Sequence, residues 1–203
     1  MYPLTEEQFK AEAEPILRQV FVNDDPFEFP FSPNIQGRRI IFPHQGKIER
    51  PLIEAIVNAA SNLGDTGCYF TQLWPSPDRV NHCYISLSEF LDTYSAPPGS
   101  PKLISLQTNM EILSENVLYS AQGTWGVMLS HEYHGMLGGP PEFIEEIRRD
   151  IPDLDQQVYL FLNRFQSFKA AGMKLTLEWL PGLLTHVYGE EATEKMLKET
   201  GLP

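Results

Sequence analysis

The chain has 203 residues, and its 27 acidic and 15 basic side chains give it a formal net charge of -12. Twelve Phe, eight Tyr and three Trp supply bulky side chains for a core, which argues against an intrinsically disordered chain. Binding to phosphates requires a basic surface, so the acidic balance disfavours nucleic acid as a partner.

The sequence predicts neither export nor membrane insertion. Residues 1–7 lack the basic and apolar regions of a signal peptide, and no run approaches the roughly 18 apolar residues of a membrane span. Cys68 and Cys83 are too few for the disulfide framework of a small secreted domain. We therefore expect a soluble, cytoplasmic protein with no membrane partner. The two cysteines are either small buried side chains or, where their β-like runs pair as neighbouring strands, a disulfide.

The N-terminal region predicts a helix followed by an extended connection. Apolar residues recur at three- and four-residue steps over 5–20, and Thr5 with Gln8 forms the pattern of a capping box. Pro15 lies inside this pattern and is expected to kink or shorten the helix. Residues 24–33 hold three Pro and three Phe without clear periodicity, so we expect an extended segment whose aromatic rings dock on the core.

The middle of the chain predicts short strands and helices. The predicted strands are 38–42, 68–73 and 82–85, and the predicted helices run over 51–63 and from Ser86 or Ser88 to Tyr94. The Pro- and Gly-rich stretch 96–101 is typical of a surface loop. We interpret it as a loop within a single domain that spans residues 1–203.

The clearest pattern lies at 116–138, where two turns separate three β-like runs and predict an antiparallel meander. Helices are predicted after it: one opened by residues 140–142, one over 153–171 and an acidic one over about 190–200. The class is therefore α+β, with a central antiparallel sheet packed against N- and C-terminal helices. Within this sheet we expect Trp125 to be buried against Phe161 or Phe165.

Residues 130–134 carry the densest set of chemically capable side chains. Two imidazoles and a carboxylate suit a divalent metal or acid–base chemistry, but histidines three apart on a regular strand point to opposite faces. One interpretation is a polar turn whose histidines cap backbone groups or face water. The other is a metal-assisted hydrolase centred on His131, Glu132 and His134, with His44 or Asp65 near by. The spacing departs from known zinc motifs, so we expect no metal and no cofactor.

The remaining histidines favour structural roles. His44 is expected in a solvated loop, and His186 lies in an apolar helical segment and is expected to be satisfied within or beside the core. His82 precedes Cys83 in a predicted strand, where adjacent side chains point in opposite directions. A Cys–His nucleophile pair is therefore disfavoured.

Acidic side chains concentrate in the segments 6–14, 142–155 and 190–199. Such runs are either ordinary solvated helix faces or a surface complementary to a basic partner. The leading hypothesis is a non-catalytic macromolecule-binding protein, in concrete form an acidic inhibitor or immunity-type protein for a basic protein partner. The predicted partner-binding residues are Glu142, Glu145, Glu146 and Asp150. Their helix follows the 131–134 turn, so we expect helix and turn to form one continuous face.

Overall fold

The protein is built around one antiparallel sheet. The computed structural model describes residues 1–42, 48–74, 80–94, 115–131 and 134–203, and seven strands lie within these ranges. They are β1 (Tyr2–Pro3), β2 (Gly37–Ile41), β3 (Gly67–Gln72), β4 (His82–Ser86), β5 (Asn116–Ser120), β6 (Gly126–Leu129) and β7 (Gly135–Gly139). The spatial order is β1-β4-β3-β5-β6-β7-β2, and every neighbouring pair is antiparallel. The predicted class and the meander over β5, β6 and β7 are confirmed.

The helices follow the predicted pattern closely. They are α1 (Glu6–Gln8), α2 (Glu14–Val20), α3 (Arg50–Asn62), α4 (Leu87–Tyr94), α5 (Pro141–Asp150), α6 (Gln157–Ala170), α7 (Leu180–Tyr188) and α8 (Glu190–Thr200). A 3-10 turn at Leu154–Gln156 precedes α6. The predicted surface loop at 96–101 lies outside the described residues.

The first helical run is capped as predicted, and Pro15 does not end it. The Thr5 hydroxyl accepts the Gln8 backbone N–H at 3.2 Å, and the Gln8 side chain accepts the Thr5 N–H at 2.9 Å, which completes the capping box. A π-helical turn, Phe9–Ala13, joins α1 to α2. Pro15 falls in the first turn of α2, where its missing N–H is tolerated, so the run continues to Val20.

Helices cover both faces of the sheet. The mid-chain helices α3, α4 and α5 pack on one face, against Cys68, Val127 and Leu137. The N-terminal helices and α6, α7 and α8 pack on the other face, against Val117 and Met128. The predicted packing of the sheet against the terminal helices is thus confirmed for one face. The central strands are buried on both faces, which is why their sequences lack a clean polar alternation.

Trp125 is buried as predicted, but its predicted neighbours are wrong. Its ring stacks on Phe143 of α5 with centroids 5.5 Å apart, whereas Phe161 and Phe165 lie across the sheet in the other core. The alternation of residues along β6 is correct. This alternation could not show which helices cover the face that carries Trp125, because bulky apolar layers cover both sides of the sheet.

A buried carboxylate fixes the other end of the Trp125 ring. The indole N–H donates to Asp65 Oδ2 at 2.7 Å, and the Ser120 hydroxyl donates to the same oxygen at 2.9 Å. Burial raises the pKa of Asp65 above its ordinary value, while these two hydrogen bonds limit the rise. The network ties the turn after α3 to the hairpin between β5 and β6.

Both edges of the sheet are protected against strand addition. At one edge β1 has two residues, one of which is Pro3. At the other edge the Ile40 N–H donates to the Tyr188 hydroxyl at 2.9 Å, and the Phe42 N–H donates to Gln157 Oε1 at 3.1 Å. Side chains of α6 and α7 thereby occupy two of the backbone donors at the β2 edge that a further strand would use.

Replacing Trp125 with Ala should destabilise the protein by about 3–5 kcal/mol, because it opens a cavity beside Phe143 and removes a donor from buried Asp65. Trp125→Phe keeps most of the volume and should cost clearly less. Urea unfolding measures both variants. A Trp125→Ala protein as stable as the wild type would contradict the described packing.

Candidate functional site

The site begins with a loop that leaves the first helical run and returns to it. Phe21 and Phe31 form an isolated antiparallel bridge, the Val22 N–H donates to Pro30 O at 2.8 Å, and the Ser32 N–H donates to Val20 O at 2.8 Å. These contacts close residues 22–30 into a loop, called here the 22–30 loop. The extended segment predicted at 24–33 is therefore a closed excursion.

Two glycines on neighbouring strands provide the seat for this loop. Gly126 of β6 pairs with Gly138 of β7, and the stacked rings of Phe21 and Phe31 lie over them. A Cβ on Gly126 would come within 2.6 Å of the Phe21 ring, and one on Gly138 within 2.5 Å of the Phe31 ring. Only strands without side chains at these positions let the rings approach so closely.

Side-chain hydrogen bonds fix the loop internally. Asp25 Oδ1 accepts the Phe27 N–H at 2.8 Å, and Asn23 Oδ1 accepts the Asp25 N–H at 2.9 Å, which are Asx turns. Arg18 of α2 donates to both carboxylate oxygens of Asp24, at 2.6 and 2.9 Å. The loop therefore presents Phe27 and its acidic residues in a defined orientation.

An aromatic cluster joins the loop to the C-terminal helices. The Phe27 ring meets the rings of His134 and Trp179 edge-on, with centroids 5.6 and 4.9 Å apart. The His134 ring is buried, stacks on Trp179, and donates through Nε2 to Pro26 O at 3.2 Å. His134 thus holds the loop against the core and offers no open face to a ligand.

A cleft of about 720 Å³ opens beside this cluster and is called here the larger cleft. Its walls come from the 22–30 loop, the end of α6 and the segment that joins α6 to α7. Its aromatic side chains are Phe27, Phe165, Phe168 and Trp179, and exposed Met173 also lines it. A volume of this size lies in the range of ligand or side-chain binding sites.

A second cleft of about 420 Å³, called here the smaller cleft, shares Phe27 and His131 with the larger one. Asp24, Asp25 and Trp74 also line it. The Phe27–His131 ridge therefore separates an aromatic cleft from one that combines aromatic and acidic walls.

Glu115 organises the far side of the smaller cleft. It immediately precedes β5, and its side chain is only 7% exposed. Glu115 Oε1 accepts a hydrogen bond from His131 Nδ1 at 2.7 Å, and Oε2 accepts one from the Trp74 indole N–H at 2.7 Å. One buried carboxylate thus orients both an imidazole and an indole that is 71% exposed.

The structure separates the residues of the predicted 131–134 cluster. His131 lines both clefts, whereas His134 is buried in the aromatic cluster. Glu132 and His44 lie outside the described residues. Asp65 contacts Ser120 at one end of β5, while His131 contacts Glu115 at the other end, so these two groups do not meet.

Among the described residues no group of three or more His, Cys, Asp or Glu side chains converges in a metal-binding arrangement. The metal-assisted hydrolase centred on His131, Glu132 and His134 stays a prediction.

The acidic residues predicted to bind a partner lie elsewhere. Phe143, Ile144 and Ile147 bury α5 on the face of the sheet that carries Trp125, whereas His134 packs with Phe161 on the other face. For the two described residues of the turn, His131 and His134, the continuous face expected with α5 is therefore wrong. Adjacency in sequence did not reveal that the chain crosses the length of β7 between the two.

The four acids of α5 also differ in their environment. Glu145 pairs with Arg148 on the same helix, and Glu146 accepts a hydrogen bond from Asn62 of α3. Glu142 and Asp150 are exposed. Their role in partner binding stays a prediction.

Cys68 and Cys83 lie on paired strands and are free thiols. Both side chains belong to the core beneath α3, and burial raises the pKa of Cys83 to about 12 and holds the pKa of Cys68 well above its ordinary value. His82 points to the opposite face, where its ring stacks on Phe9 at 3.7 Å. Neither thiol is therefore activated as a nucleophile.

His186 has the structural role that the sequence predicts. Its Nε2 accepts the Phe31 N–H at 3.2 Å, and Arg38 donates to its backbone oxygen at 2.8 Å. Burial first, and the neighbouring Arg38 charge second, lower the pKa of His186 to about 4. Protonation of Nε2 would also break the hydrogen bond that steadies the returning strand of the 22–30 loop.

Comparison with protein-family models, with curated proteins and with solved structures found no match for this chain. In the described part of the chain, no helix has both the length and the apolar composition needed to cross a bilayer. The function is therefore inferred from the clefts and their chemistry.

Sequence reasoning missed most residues that form the clefts. The sequence indicates only that Phe27 docks on the core, and no pattern in it points to a role for Trp74, Glu115 or Trp179. Glu115 is a lone acid whose partners lie 16 and 41 residues away in sequence. No local sequence motif predicts contacts over such separations. The one sequence feature that points to the site is the run of Phe and Pro at 24–33, which has no helical or strand periodicity.

We expect the free energy of unfolding to fall as the pH is lowered from about 6.5 towards 4, in part because of His186. The pKa of the folded ring lies below that of the unfolded chain, so the unfolded chain takes up the proton first and is favoured in this window. Over this pH range the free energy of unfolding of His186→Gln should fall by about 1–2 kcal/mol less than that of the wild type. This figure allows for solvent screening of the partly buried ring. Urea unfolding at both ends of the range measures this, and equal losses would contradict it.

Proposed function

We propose that the protein binds another protein without catalysis, and that the contact is centred on the Phe27–His131 ridge and the two clefts beside it. The observation that carries this proposal is Trp74, a largely exposed indole whose N–H is tied to the buried carboxylate of Glu115. An exposed tryptophan held in one orientation loses little conformational entropy on binding, and tryptophan is enriched among residues that dominate binding energy.

Exposed apolar side chains of the 22–30 loop and of the larger cleft add to this proposal. Val22 and Phe29 belong to the 22–30 loop, and Met173 lines the larger cleft. Together with Trp74 they account for four of the seven large apolar side chains that are exposed in the described residues. Apolar side chains around a cleft with polar edges are typical of a protein-binding surface.

The charge of the chain supports a basic partner. A net charge of -12 produces a long-range field that attracts a positive surface and accelerates encounter. The inhibitor or immunity-type role is the concrete form of the proposal. In it the acids of α5, which pack on the other face from the aromatic cluster, contribute to steering, and the ridge makes the close contact.

Trp74→Ala should weaken binding of the basic partner by roughly tenfold or more, mainly through faster dissociation. Leu160→Ala is the matched control, because Leu160 is 51% exposed on α6 and lies away from both clefts. The partner is captured from native lysate, identified and purified, and its binding kinetics are measured by surface plasmon resonance. Equal affinities of Trp74→Ala and wild type would contradict the proposed contact.

Charge reversal on α5 should change the association rate, whereas Trp74→Ala mainly changes the dissociation rate. Glu142→Lys combined with Asp150→Lys is expected to slow association with the purified partner several-fold at low salt and to leave dissociation nearly unchanged. The effect should fade in about 1 M salt, where the Debye length falls to about 3 Å.

The control for this prediction is Glu190→Lys combined with Glu191→Lys, which changes the net charge equally on α8. A larger effect at α5 than at α8 would show that the α5 acids steer the partner, even though α8 packs on the sheet face that carries the ridge and α5 on the other. Equal effects of the two double variants would show that only the total charge of the protein matters for association. An association rate that does not change with salt concentration would contradict the electrostatic argument.

A further inference from the structure

The smaller cleft has the chemistry of a receptor for a planar cation. Trp74 and Phe27 supply aromatic walls, and Asp25 and Glu115 supply carboxylates. Aromatic faces attract cations through their quadrupole, and carboxylates pair with cations directly. The volume of about 420 Å³ leaves room for one long side chain to enter from the surface.

The Trp74 indole is oriented so that its polar edge is already used. Its N–H donates to Glu115 Oε2, and the other oxygen of Glu115 accepts from His131 Nδ1. The exposed part of the indole is therefore its ring surface. Glu115 acts through Trp74 and His131 as a positioning residue, and its own charge adds to the negative potential of the cleft.

The two aspartates of the cleft differ in what they offer. Asp24 is held by a two-point salt bridge with Arg18, so its charge is locally compensated. Asp25 accepts the Phe27 N–H through Oδ1, and among the described residues it forms no salt bridge. Its carboxylate is thus fixed on the wall of the cleft, and no side chain in the described ranges neutralises it through a salt bridge.

We propose that the smaller cleft receives an arginine side chain of the basic protein partner, with the guanidinium stacked on Trp74 and hydrogen-bonded to Asp25. This inference rests on the proposed function and names the group that the partner inserts. Arginine fits better than lysine, because a planar guanidinium stacks on an indole and donates two parallel hydrogen bonds to a carboxylate.

The test uses N-acetyl-arginine amide as the probe and N-acetyl-citrulline amide as its uncharged counterpart of the same shape. The three tryptophan indole N–H signals are followed by ¹H–¹⁵N NMR and assigned with single Trp→Phe variants. Each has a distinct acceptor: Glu115 for Trp74, Asp65 for Trp125 and Thr176 O for Trp179. The arginine probe should shift the Trp74 signal in a saturable manner and leave buried Trp125 unchanged, while the citrulline probe should shift neither.

Two variants separate the contributions. Asp25→Asn keeps an acceptor for the Phe27 N–H but removes the charge, and it should weaken arginine binding about fivefold or more. The matched control Glu28→Gln changes the same loop by one charge outside the cleft and should leave binding unchanged within about twofold.

The outcomes distinguish this inference from the proposed function. No shift of Trp74, an equal response to citrulline, or equal losses in Asp25→Asn and Glu28→Gln would overturn the arginine site. If partner binding still depends on Trp74 in that case, the ridge remains the contact and another partner group occupies the cleft. If arginine shifts Trp74 but Trp74→Ala binds the partner as the wild type does, the proposed function fails, and with it the assignment of the cleft to that partner.

Discussion

The candidate site depends on one contact, the packing of the Phe21–Phe31 ring pair onto the Gly126–Gly138 strand pair. Both rings are buried, and they join the base of the 22–30 loop to the centre of the sheet. A side chain on either glycine would collide with a ring, so the loop would have to lift away from the strands. Both clefts would then lose the wall that Phe27 provides.

The rest of the site adds rigidity to this anchor. Asx turns and the Arg18–Asp24 pair order the loop from within, and the buried His134 ring fixes it to the C-terminal helices. On the other side of the ridge, Glu115 orients Trp74 and His131 through its two oxygens. Binding surfaces gain affinity when their side chains are ordered before the partner arrives, because less entropy is lost on association.

The sequence predicted the parts of the fold that depend on local patterns. The capping box at Thr5, the helix opened by residues 140–142 and the three-stranded meander all rest on neighbouring residues, and all are confirmed. The wrong partner of Trp125 has a different cause, because alternation defines two faces but not which helix covers each. The site was largely missed since the contacts of Glu115 join residues that only the folded chain brings together.

The same side chains bear on the choice between binding and catalysis. The His131–Glu115 pair resembles the base and orienting carboxylate of many hydrolases, and the metal-assisted hydrolase stays a prediction. Binding uses the features that the smaller cleft has: a fixed indole, an aromatic ridge and the carboxylates of Asp25 and Glu115. An imidazole held by a buried carboxylate then serves to brace the ridge, which is why we favour a binding role for His131.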